Sequence, residues 1–164
     1  MAIILATLVA ATPTHVASSS YPAINSCDHT PSAFRCVTVI KAADGDTITV
    51  DIPNVPSLFG KGIRVRIAGI DAPELHFADA CETKAAESAR DFVRKVLADG
   101  KRVDLVNVKR DKYFRILADV QVDGQSLRNA LLDARFAYPY DGKKKTKRDW
   151  CPVQTIAPEA YPAS

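Results

Sequence analysis

Apolar residues along this chain change their period several times, and each change marks an element. In TITVDI (47–52) Ile48, Val50 and Ile52 alternate with Thr47, Thr49 and Asp51. IRVRIAGI (63–70) repeats the pattern, with Ile63, Val65 and Ile67 on one side and Arg64, Arg66 and Ala68 on the other. A period of two belongs to a strand with one buried face, so both arginines are expected on the face away from the core. Residues 34–40 read as an earlier strand, followed by the turn AADGD (42–46). The stretch PNVPSLFGKG (53–62) is interrupted by Pro and Gly and predicts a connection without regular structure. From 82 to 98, Ala85, Ala89, Phe92, Val93, Val96 and Leu97 recur at helical spacing, with Gly100 where a helix would end. KRVDLVNV (101–108) and FRILADVQV (114–122) predict two further strands, closed by the turn residues Asp123 and Gly124. Ser126 is placed to cap a second helix, 126–136, with Leu127, Ala130, Leu131 and Ala134 inward. From Pro139 the chain turns polar and basic, which predicts an irregular tail.

Three strands, a helix, two strands and a helix make an α+β domain. Five short strands with a helix after the third is the element order of an OB-fold β-barrel, here with a further C-terminal helix. The expected division is a leader over 1–26, the barrel domain over 27–140, and a basic, Pro-containing tail over 141–164.

Composition alters this picture at both ends. Met1 to Ala11 contains only Met, Ala, Ile, Leu, Thr and Val, and no Lys, Arg, Asp or Glu precedes Asp28. Such an apolar run followed by THVASSS resembles a secretory signal peptide, though without the usual positive start. It falls short of the roughly 20 residues needed to span a bilayer. The expectation is an exported protein, periplasmic or secreted. Cys27, Cys36, Cys81 and Cys151 fit that compartment as up to two disulfides. Four cysteines allow three connectivities and the sequence does not choose among them; the pairing taken as the expectation is Cys27–Cys36 with Cys81–Cys151. A zinc site is disfavoured, since no CxxC pair occurs. The net charge is only +3, but Lys143, Lys144, Lys145, Lys147 and Arg148 are concentrated after the last apolar segment. That run reads equally as a solvated surface or as a contact for a polyanion's backbone.

Three stretches carry charge that a plain barrel does not require. DGDT (44–47) alone is an ordinary turn. RIAGIDAPE (66–74) sets Arg66, Asp71 and Glu74 around a proline, and DKYFR (111–115) brings Arg115 into a strand beside Tyr113. Together they supply what attack on a phosphodiester needs. The hard oxygens of Asp46 and Asp71 suit Ca²⁺, which takes six to eight oxygen ligands. The planar guanidinium groups of Arg66 and Arg115 can grip phosphate at two points each. Glu74 is then available to accept a proton from the attacking water.

ADGDTITV, RIAGIDAPE and DKYFRILA resemble, in order, the three signature segments of the staphylococcal nuclease (thermonuclease) family, over about residues 34 to 140. SLRNALLDARFA resembles the family's later helix, and the PYDG…WC ending is similar to that of its compact exported members. The resemblance implies an OB-fold barrel and Ca²⁺-dependent cleavage of DNA and RNA, endonucleolytic and leaving 3′-phosphates. It implies Asp46, Asp71 and the Ala72 carbonyl as calcium ligands, with Asp44 behind them. It further implies Arg66, Glu74 and Arg115 as the catalytic trio, and Tyr113 and Lys112 as substrate contacts. Three departures stand out: Phe114 where glycine is usual, a longer 53–62 connection, and no long C-terminal helix. A staple of Trp150 and Cys151 to Cys81 is the expected cover on that side.

The rival reading is a non-catalytic OB-fold module that holds single-stranded nucleic acid through Tyr113, Phe114, Tyr138, Tyr140 and the basic run. Asp46, Asp71 and Glu74 argue against it, since uncompensated carboxylates repel phosphate. A third reading, an exported interaction protein using the barrel as scaffold, predicts no response to Ca²⁺. No stable protein partner is implied, and a monomer is expected.

Overall fold

The computed structural model describes residues 26–75, 80–111, 113, 115–146 and 148–151. In chain order it contains β1 (Thr38–Ala42), β2 (Thr47–Asp51), α1 (Ser57–Gly60), β3 (Ile63–Ile67), β4 (Ile70–Asp71) and α2 (Ala80–Asp99). These are followed by β5 (Val103–Arg110), β6 (Ile116–Val122), β7 (Gln125–Ser126), α3 (Leu127–Asp133) and β8 (Tyr138–Pro139). The main sheet runs β1-β2-β3-β6-β5, with β3 and β6 parallel and the other neighbours antiparallel.

Its two outer edges meet. Phe34 exchanges backbone bonds with Leu105 at 2.9 and 2.8 Å, and the Val37 amide donates to the Val103 carbonyl at 2.9 Å. The segment read as the start of the first strand therefore pairs with β5, while β1 proper begins at Thr38 and pairs with β2. This closure curls the five long strands into the expected OB-type barrel. Ile48, Val50, Val65, Leu105 and Val120 are fully buried inside it. Helix α2 covers one side with Ala85, Ala89, Phe92, Val93 and Val96, and α3 adds Leu127 and Leu131. Ser126 caps α3 by accepting from the Asn129 amide at 3.3 Å.

Four local expectations are corrected. The 53–62 connection holds a helical turn, because the Pro56 carbonyl accepts from the Phe59 and Gly60 amides at 2.8 and 3.0 Å. The third strand stops at Ile67 rather than Ile70: Gly69 takes φ +79° and turns the chain before Ile70 and Asp71 resume as β4. Pro139 lies in β8, which pairs Ile70 with Pro139 and Asp71 with Tyr138. A two-residue ladder tolerates a proline that has no amide to donate. Finally, β2 is buried on both faces, Thr47 and Thr49 included. These threonines stand opposite Arg66 and Arg64 in register, and long arginine stems can cover such neighbours.

Candidate active site

The 43–47 turn reaches its position because Gly45 has no side chain. A Cβ there would lie 2.8 Å from the Ala89 Cβ and 2.9 Å from the Ala72 Cβ, so only glycine lets the turn pack between α2 and the 70–74 segment. That packing carries Asp46 to the amide of Ala72, which donates to Asp46 Oδ2 at 3.0 Å. The other carboxylate oxygen accepts from the Thr47 hydroxyl at 3.1 Å and pairs with Arg66 Nη1. Asp44 accepts from the Asp46 amide at 3.1 Å and so shapes the turn.

Arg66 lies on the face of β3 opposite Val65 and Ile67, as alternation predicts, yet it is shielded there. Its side chain is only 11% exposed, because the rim of the barrel folds over it. Its Nη2 reaches Asp71 Oδ1 and the Ile70 carbonyl, each at 3.3 Å, so one guanidinium serves two acids. Burial pushes the Arg66 pKa down from its ordinary value, and the neighbouring Asp71, Asp44 and Glu74 oppose that push. The guanidinium remains charged at any pH the fold meets.

Arg115 enters from the far side, just before β6. Its Nε donates to Asp111 Oδ2 at 2.7 Å and its amide to Asp111 Oδ1 at 2.9 Å. The Arg115 guanidinium carbon lies 5.3 Å from the Tyr113 ring centroid, within cation–π range, and Tyr113 is exposed. Burial of Asp111 acts to raise its pKa, but the Arg115 side chain and the amides of Arg115 and Tyr113 outweigh this and hold it below the usual carboxylate range.

One open cleft of about 790 Å³ is lined by Asp44, Asp46, Arg66, Glu74, Tyr113 and Arg115 together. Asp71 borders it through Arg66 and faces an adjoining recess. The structure thus gathers most of the residues singled out by sequence. Lys112 lies outside the described residues, as do Phe114, the leader up to residue 25, and the tail beyond Cys151. The cysteines join Cys27 to Cys36 and Cys81 to Cys151. Trp150 is buried and stacks at 4.9 Å on Tyr138, beside the Cys81–Cys151 link.

Two further residues belong here that the sequence reading did not single out. Asp111 braces Arg115, and its tendency to bond backbone two residues on was a usable signal. Lys145, one lysine among several in the basic run, binds Asp71 Oδ1 at 2.8 Å and Glu74 Oε1 at 3.0 Å. Nothing in the spacing of that run distinguishes it.

The donor set suits a hard divalent cation: the carboxylates of Asp46 and Asp71 converge, and they already attract Arg66 and Lys145. Among the described residues no three His, Cys, Asp or Glu side chains form a ready cage. Asp46 and Asp71 are the described carboxylates that could contribute oxygens to such a cation.

Much of the chain is similar to known proteins. The family model described as "Staphylococcal nuclease homologue" matches residues 64–159. The chain is 38% identical over 115 residues to endonuclease YncB of Bacillus subtilis, covering 66% of this chain and 51% of that protein. It is 36% identical over 115 residues to the SPbeta prophage-derived endonuclease YokF of the same organism, covering 66% and 36% respectively. It is 31% identical over 104 residues to an uncharacterized endonuclease of Escherichia coli, covering 63% and 60%. The chain thus spans about half the length, or less, of the two Bacillus relatives.

Proposed function

The chain belongs to the staphylococcal nuclease family, and from that premise we propose that it is a calcium-dependent nuclease hydrolysing phosphodiester bonds within DNA and RNA. The observation that carries the reading is the shared cleft, whose lining brings Arg66 and Arg115 together with Asp44, Asp46 and Glu74 from distant parts of the chain. A module that only bound nucleic acid would gain nothing from Asp44, Asp46 and Glu74 lining its groove.

In this reading Arg66 and Arg115 hold the scissile phosphate from two sides with guanidinium groups that stay charged near neutrality. Asp111 fixes Arg115 through its Nε, which leaves the terminal nitrogens for phosphate oxygens. Glu74 accepts the proton of the attacking water. Asp46 and Asp71, with the Ala72 carbonyl, are the residues that would hold calcium, and Asp44 keeps Asp46 in place. Calcium, when bound, supplies a Lewis acid that polarises the phosphate oxygen. Tyr113, together with Lys112, contacts the substrate's phosphate backbone. Two disulfides suit an oxidising compartment, so we place the protein outside the cytoplasm. Among the described residues no helix is long and apolar enough to cross a membrane.

The test is incubation of the purified protein with plasmid DNA and with RNA, first in calcium and then with chelator. Cleavage that chelator abolishes supports the reading. Binding without cleavage in calcium would make the protein a nucleic-acid-binding module instead.

A further inference from the structure

The segment after β8 is fixed at several points, and all of them place one ammonium group. The Tyr140 amide donates to the Gly69 carbonyl at 3.0 Å, and its hydroxyl donates to the Lys143 carbonyl at 2.6 Å. The Lys143 amide donates to Asp141 Oδ1 at 3.0 Å, tightening the 140–143 bend. Beyond it, buried Trp150 and the Cys81–Cys151 link tie the segment back to the body. Between these anchors Lys145 reaches across to Asp71 Oδ1 and Glu74 Oε1. It alone of the basic run makes these two contacts among the described residues.

We propose that Lys145 is a positioning residue of the nuclease site, holding the Glu74 carboxylate in its working orientation. The proposal rests on the nuclease reading above. Arg66 neutralises Asp46 and Asp71 but makes no hydrogen bond to Glu74, whose side chain is 44% exposed. A half-exposed glutamate on a loop has several staggered rotamers, and a general base works only when held within reach of its proton. The ammonium engages Oε1 and leaves Oε2 to take the proton. It also offsets a negative charge that would otherwise repel an incoming phosphate backbone. A point charge with three rotatable donors suits this task, since it can bridge two separate carboxylates.

The experiment compares Lys145→Met, Lys145→Arg, Glu74→Gln and the double variant Glu74→Gln/Lys145→Met on a short oligonucleotide in saturating calcium. Lys145→Met is expected to lower kcat about ten-fold, a part of the roughly 100-fold or more that a general base contributes in full, and to change KM by less than about two-fold. Lys145→Arg should recover much of the loss. In the Glu74→Gln background the lysine substitution should cost nothing further, because residues acting through one another are non-additive. Calorimetry with calcium alone should show Lys145→Met binding at least as tightly as the parent, since its ammonium no longer competes for Asp71. Unchanged kcat in Lys145→Met overturns the proposal, as does a full additional loss in the Glu74→Gln background. A raised KM at constant kcat would instead make Lys145 a substrate contact, and weaker calcium binding would make it a support of the ligand set; either overturns the positioning role. A parent that cuts nothing in calcium overturns the nuclease reading and this proposal with it, whereas a parent that cuts alongside an equally active Lys145→Met overturns this proposal alone.

Discussion

Asp111 holds Arg115 twice, through Nε at 2.7 Å and through the backbone amide at 2.9 Å. In the proposed reading a guanidinium braced in this way would meet a phosphate with an edge already oriented, and that orientation would add to the effect of its charge. Arg115→Lys keeps the charge and loses the fork, so kcat is expected to fall about 100-fold, the scale of removing one donor from a developing oxyanion. Asp111→Ala leaves the fork but loosens it, and a smaller fall of about ten-fold is expected. Plasmid nicking rates measure both. Parent-like rates for Arg115→Lys would remove Arg115 from the site.

The same pair has a signature in pH. Asp111 titrates below its ordinary value of 3.8 in the folded protein. A carboxylate with a depressed folded pKa adds stability that is fully present above its unfolded value and is lost as pH falls through the lower folded one. Asp111→Asn should therefore reduce stability near neutrality and flatten the decline below about pH 4. Urea unfolding midpoints over a pH series read this directly. Parallel curves for parent and variant would show that Asp111 makes no such contribution.

Arg66 carries a heavier structural load. Asp46 is 3% exposed, and its Oδ1 pairs with Arg66 Nη1. Arg66→Ala leaves that carboxylate buried and uncompensated, an event that costs about 3–5 kcal/mol. The expected variant is inactive and visibly destabilised by thermal melting. Asp46→Ala leaves Arg66 its Asp71 partner but takes the acceptor from the buried Ala72 amide, so it too should lower stability. It should raise the calcium needed for half-maximal cleavage by at least the roughly 10–100-fold that loss of a ligand's supporting partner costs. An unchanged calcium titration would take Asp46 out of the ligand set.

Much of the fold was legible from the chain because apolar spacing and burial coincide. Ile48, Val50, Val65 and Ile67 are buried where alternation put them, and Ser126 caps the helix it precedes. What period-two logic missed is two-sided burial at the rim. There Thr47 lies beneath Arg66, and the 70–74 segment folds back onto the turn bearing Asp46. Alternation describes one strand's faces and is blind to what a later segment lays over them. Lys145 shows the limit most clearly. Its partners Asp71 and Glu74 are about seventy residues away in sequence, and only the closure of the chain around β4, β8 and Cys81–Cys151 reveals it.

That closure makes the last prediction. Cys81 and Cys151 are 70 residues apart, whereas Cys27 and Cys36 are separated by 9. Restricting the unfolded chain scales with the logarithm of loop length, so the longer link is worth about 4 kcal/mol against about 3 for the shorter. Replacing Cys81 and Cys151 together by serine should accordingly cost more stability than replacing Cys27 and Cys36. It should also release Trp150, the chain's one tryptophan, from its contact with Tyr138. A red-shifted Trp150 emission together with a lowered melting temperature is expected for the first pair. For the second pair only the melting temperature should move, because that loop is joined to β5 through Phe34 and Leu105, whereas Trp150 stacks on Tyr138 of β8. Equal losses with unshifted emission in both variants would mean that the C-terminal segment stays seated through Trp150 and the Tyr138 pairing, without help from its sulfur link.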